Sequence, residues 1–75
     1  MSYEVIETCN KKEVKLGIYP SKKIAFRAVS EFAHQHVNAA KRMRKRYRFV
    51  ENLGRHKAEV EINGFKYTFE VRGII

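Results

Sequence analysis

The dipeptide Asn63-Gly64 constrains this chain more than any other pair of neighbours, because both central positions of a type I′ turn need φ > 0. A two-residue hairpin built on it sets Ile62 against Phe65, Val60 against Tyr67, Ala58 against Phe69 and His56 against Val71, all on one side. The other side sets Glu61 against Lys66, Glu59 against Thr68 and Lys57 against Glu70. One register therefore separates apolar from polar residues and also faces opposite charges across the strands. A slip by one residue would turn every side chain to the wrong face.

The N-terminal third reads as a second hairpin. Tyr3 to Cys9 is rich in β-formers, Asn10-Lys11-Lys12 supplies a polar turn, and Val14, Leu16 and Ile18 alternate with Glu13, Lys15 and Gly17. Tyr19-Pro20-Ser21 ends the strand, and Ser21 is a good N-cap for a helix starting at Lys22. From Lys22 to about Arg46 the period is that of a helix, with Ala25, Val29, Phe32, Ala33, His36, Ala40 and Met43 on one arc. So Ala-rich an arc predicts a helix lying close to the sheet it covers. Tyr47 to Asn52 is read as a strand, since a helix would put Phe49 on the charged face; Gly54 as the C′ residue of a longer helix is the alternative. The turn Asn52-Leu53-Gly54-Arg55 leads into the C-terminal hairpin. The expected fold is α+β: one small domain over residues 1–75, in β-β-α-β-β-β order, a mostly antiparallel sheet with one long basic helix on one face.

Charge is distributed far less evenly. The chain carries a formal net charge of +8. From Met1 to Tyr19 the cations Lys11, Lys12 and Lys15 cancel Glu4, Glu7 and Glu13. From Glu51 to Ile75 the cations Arg55, Lys57, Lys66 and Arg72 cancel Glu51, Glu59, Glu61 and Glu70. The excess belongs to the segment between, where Glu31 is the one acid. A surface built only for solubility mixes both signs. Lys41-Arg42-Met43-Arg44-Lys45-Arg46-Tyr47-Arg48 is the densest part, and Lys23, Arg27 and His34 extend it along the helix.

Such a band suits phosphates, whose neutralisation releases condensed counterions, and the planar fork of arginine suits phosphates and base edges. The expected function is a nucleic-acid-binding module, for DNA or RNA, contacting phosphates through Lys23, Arg27, Lys41, Arg42, Arg44, Lys45, Arg46 and Arg48. A solvated helix end that offsets the macrodipole is the plainer account of the same residues. The alternative function is a non-catalytic accessory factor, an inhibitor or adaptor that docks an acidic protein surface on a larger nucleic-acid-processing machine. Tyr3 to Cys9, taken as an exposed edge, would serve such a factor by strand addition and leaves a homodimer open.

Other classes find little support. His34 and His36 point about 160° apart on a helix and cannot share a metal ion; Cys9 and His56 have no fixed relation, so neither metal nor cofactor is expected. Cys9 has no assigned base, and Glu59 and Glu61 look like register charges, so no enzyme is expected. Tyr67, Phe65 and Phe69 are read as core, and Tyr3, Tyr19 and Tyr47 are better candidates than these for exposed rings near the basic surface. The helix has too few large apolar residues for a membrane surface. With no spanning or export segment and one cysteine, the chain reads as soluble and cytoplasmic.

Overall fold

The computed structural model describes residues 2–52 and 57–74. The elements follow in the expected order: β1 (Ser2–Cys9), β2 (Lys12–Tyr19), α1 (Lys22–Arg42), β3 (Tyr47–Asn52), β4 (Lys57–Ile62) and β5 (Phe65–Ile74). The five strands form one antiparallel sheet in the spatial order β2-β1-β5-β4-β3. The helix lies on one face and touches every strand.

The β4–β5 register is the one the turn dictates, from Lys57 opposite Glu70 to Ile62 opposite Phe65, with φ of 49° at Asn63 and 86° at Gly64. The expected His56–Val71 pair and the turn through Leu53, Gly54 and Arg55 lie outside the described residues, as does the Cys9–His56 question.

The N-terminal hairpin corrects the sequence reading in three places. Its turn has two residues rather than three: Asn10 and Lys11 take φ of 52° and 64°, and Lys12 already pairs with Cys9. The register shifts between Val5 and Ile6, which leaves Leu16 as an extra residue of β2 and breaks the simple alternation. Leu16 packs toward the core, whereas Ile18, opposite Glu4, is turned away from the helix and is 67% exposed. The third correction is that Tyr3 to Cys9 is not an edge. β1 lies between β2 and β5, and the edges are β2 and β3. Val5 and Ile6 point to opposite faces and are both buried, a pattern that belongs inside a sheet rather than at its rim.

The helix begins where Ser21 predicts, its Oγ accepting from the Ile24 N–H at 3.2 Å. Ala25, Ala28, Val29, Ala33, Val37 and Ala40 are buried against Val5, Ala58, Val60 and Phe69. Ala28 and Val37 were missing from the expected arc, and Met43, assigned to it, is exposed beyond the helix end. Phe69 is fully buried, Tyr67 partly, and Phe65 at the hairpin tip is half exposed. Of the three candidate exposed rings, Tyr3 and Tyr19 pack against the core and Tyr47 is exposed. A side chain at Gly17 would meet the Tyr19 ring at 3.0–3.2 Å, so glycine there gives the ring its seat.

The sheet face away from the helix carries Glu4, Glu13, Glu59, Glu61 and Glu70 together with Lys15, Arg48, Lys57, Lys66 and Arg72, and is therefore balanced. Arg72 on β5 reaches across β1 to Glu13 on β2, its Nη1 donating to Oε1 at 3.3 Å, and also binds Glu70 at 2.6 Å. That span passes over Ile6, which is 3% exposed although it has no second layer above it. No described helix is long and apolar enough to cross a membrane.

Candidate nucleic-acid interface

The expected helix runs to about Arg46; the observed one stops at Arg42. Arg44 takes φ of 54°, the Arg44 N–H donates to the Lys41 carbonyl at 3.1 Å, and the Lys45 N–H donates to the Ala40 carbonyl at 2.9 Å. These two bonds with a left-handed residue between them make a Schellman cap. Glycine normally fills that left-handed position, and here an arginine does. The chain then reverses, and the Asn63 N–H donates to the Arg46 carbonyl at 3.1 Å, tying the reversal to the β4–β5 tip.

The cationic residues consequently occupy four settings rather than one helix face. At about 100° per residue, Lys23, Arg27, His34 and Lys41 fall within roughly 40° and form a stripe along α1. Arg42 lies on the helix's far flank, and Arg44, Lys45 and Arg46 form the exposed reversal. Arg48 is on β3 opposite Glu61, on the sheet face turned away from the helix, where it borders a hollow with Glu59 and Lys66. The structure thus gathers Lys41 to Arg46 at one end and places Lys23 and Arg27 farther along the same side, while Arg48 stands opposite Glu61 on the other sheet face and meets the cluster only at a hollow it shares with Arg46.

Among the described residues there are five ion pairs: Lys15–Glu4, His36–Glu7, Lys66–Glu59, Arg72–Glu13 and Arg72–Glu70. None engages a lysine or arginine between Lys22 and Arg48. Five of the eight glutamates are held in these pairs, four of them on the balanced sheet face, and Glu61 lines a hollow with Arg46 and Arg48 without pairing with either. The cations also lie beside the helix C-terminus, whose partial negative charge offsets some of their mutual repulsion.

Aromatic rings hold parts of this surface in place. Lys41 Nζ is 5.7 Å from the centre of the Tyr47 ring, and Tyr47 is exposed. His34 stacks at 5.1 Å on Phe49, and its Nδ1 lies 2.8 Å from the Ser30 carbonyl. His36 points to the other flank, with Nδ1 3.0 Å from the Phe32 carbonyl and Nε2 2.8 Å from Glu7 Oε1, a buried oxygen with no aligned hydrogen bond. Its ring sits 5.0 Å from those of Tyr67 and Phe69, so it is a helix-to-sheet contact at the core edge. Of the neighbouring basic residues Arg55, His56 and Lys57, only Lys57 is described, and it faces Glu70.

One feature had no sequence signal beyond the adjacent small residues Ala39 and Ala40. A hollow of about 320 Å³ opens between the last turns of α1 and the sheet, with His36 and Tyr67 in its lining and Lys45 beside them. Fold and charge together define a small α+β module with a cationic end. No protein-family model, curated protein or solved structure matches the chain.

Proposed function

We propose that the protein is a non-catalytic module that binds nucleic acid chiefly through phosphates, using Lys41, Arg42, Arg44, Lys45 and Arg46 as the main site and Lys23 and Arg27 as its extension. Arg48 is a lesser contributor, because it lies beside Glu61 on the other face. The observation that carries this reading is the segregation of charge: four of the five described ion pairs use lysines or arginines outside the Lys22–Arg48 segment, the fifth uses His36, and none engages that segment's lysines and arginines. A phosphate polymer supplies the missing anions at regular spacing, and the counterions it releases drive binding.

The test is affinity for duplex DNA and for RNA over a salt series, with the natural chain and Arg44→Ala/Arg46→Ala. Binding that weakens steeply with salt, and less steeply in the variant, supports the reading. Absence of binding at low salt, or indifference to the substitutions, removes it.

A second reading keeps the same cations but gives them an acidic protein surface, as in an inhibitor or adaptor of a nucleic-acid-processing machine. Met43 and Phe65, both exposed near the cationic end, favour it as apolar anchors. A partner that stays bound after nuclease treatment would select it over the first.

A further inference from the structure

We propose that the hollow beside the helix C-terminus receives one unpaired nucleobase, so that the module selects single-stranded over duplex nucleic acid. The inference rests on the phosphate-binding reading and names the strand state of its ligand.

At about 320 Å³ the hollow lies at the low end of the roughly 300–1,000 Å³ typical of small-ligand pockets, suited to one ring system. Its walls are of two kinds. Ala39, Ala40 and Ile62 are apolar, and the imidazole of His36 and the phenol of Tyr67 add aromatic surface. Gln35 adds an amide able both to donate and to accept. A base has matching properties, with apolar faces for stacking and a hydrogen-bonding rim.

Charge decides between a base and an apolar protein side chain. Lys45 lines the same hollow, Arg44 and Arg46 are its chain neighbours, and none of the three is in an ion pair. A nucleotide attaches its base to a phosphate only a sugar away and so fills the hollow and meets the cations together. In a duplex the bases are stacked and paired, and filling the hollow would require opening the helix. The rings are also held firmly: His36 is anchored to the Phe32 carbonyl and Tyr67 is fixed by its strand pairing with Val60.

The experiment is fluorescence anisotropy at one salt concentration, with a short labelled single strand, a duplex of equal length and a labelled polyglutamate, on the natural chain, Ala39→Phe, Gln35→Ala and Arg44→Ala/Arg46→Ala. Ala39 is only partly buried, so the phenyl group grows into the hollow rather than the core. The expected result is tighter binding of the single strand. Ala39→Phe should weaken it on the order of tenfold and leave the duplex unchanged, with Gln35→Ala giving a smaller loss on the same ligand. Equal affinity for both ligands, or equal losses on both in Ala39→Phe, overturns the base site. If duplex binding still depends on Arg44 and Arg46, the phosphate reading survives that failure; if neither polymer binds, both fall. Loss of polyglutamate binding in Ala39→Phe, with both nucleic acids unaffected, assigns the hollow to a protein ligand and also overturns the proposal.

Discussion

The Lys45 amide donates to the Ala40 carbonyl at 2.9 Å, and that bond closes only because Arg44 between them is left-handed. A non-glycine residue in this conformation costs about 1–2 kcal/mol relative to its ordinary backbone. Replacing Arg44 with glycine should therefore raise stability by about 1 kcal/mol in urea unfolding while weakening nucleic-acid binding. Arg44→Ala removes the same charge but keeps the strain, so it should weaken binding equally without the gain in stability. Equal stabilities for the two variants would show that the cap carries no strain.

The same residue explains the principal misreading of the sequence. Helix ends are recognised by glycine at the left-handed position, and with arginine there the periodic pattern runs on to Arg46. The C-terminal hairpin was legible because Asn63-Gly64 and the Glu61–Lys66 side agree on one register. Ser21 likewise marked the helix start through its own side chain. The place of β1 was not legible, since strand order follows from which long-range neighbours cover Val5 and Ile6 rather than from local pattern. For the site, sequence supplied the charged residues but not their directions. Arg48 differs from Arg46 in having Glu61 directly opposite on β4, a neighbour that only the β3–β4 register supplies, whereas Arg46 meets Asn63.

The cross-strand pairing of Arg48 with Glu61 leads to a contrast between two arginines. Arg46→Ala should lower the slope of log affinity against log salt by about 0.9 on duplex DNA, the value for one lost phosphate contact. Arg48→Ala, beside Glu61, should change it by clearly less. Titrations at several salt concentrations check both, and equal slopes would place Arg48 in the site after all.

Arg72 holds the Glu13 carboxyl below its ordinary value, first through their hydrogen bond and then through charge, and the Arg72 guanidinium is itself raised by the same pairing. A carboxyl with a lowered value in the fold favours folding while ionised. The contribution is complete above the ordinary carboxylate range and is lost as pH falls through the lowered value. Glu13→Gln should therefore cost stability at neutral pH and much less in acid, narrowing the gap to the natural chain. Both groups are solvent-exposed, so the effect is small, and chemical denaturation at the two pH values measures it.

The alanines under α1 set a steric limit. Ala33 and Ala25 are fully buried against the sheet, so Ala33→Leu should destabilise the protein by about 1–3 kcal/mol through overpacking. Lys23→Ala, on the exposed stripe, should stay within about 0.5 kcal/mol of the natural chain. Thermal unfolding of the two variants tests whether close helix apposition supports the fold.

The balanced sheet face opposite a helix side rich in unpaired cations makes the molecule electrically lopsided. Toward a polyanion the resulting torque turns the helix side forward before any contact forms, so productive collisions outnumber random ones. Added salt would then slow arrival as well as hasten departure, and rapid-mixing kinetics would register the two effects separately.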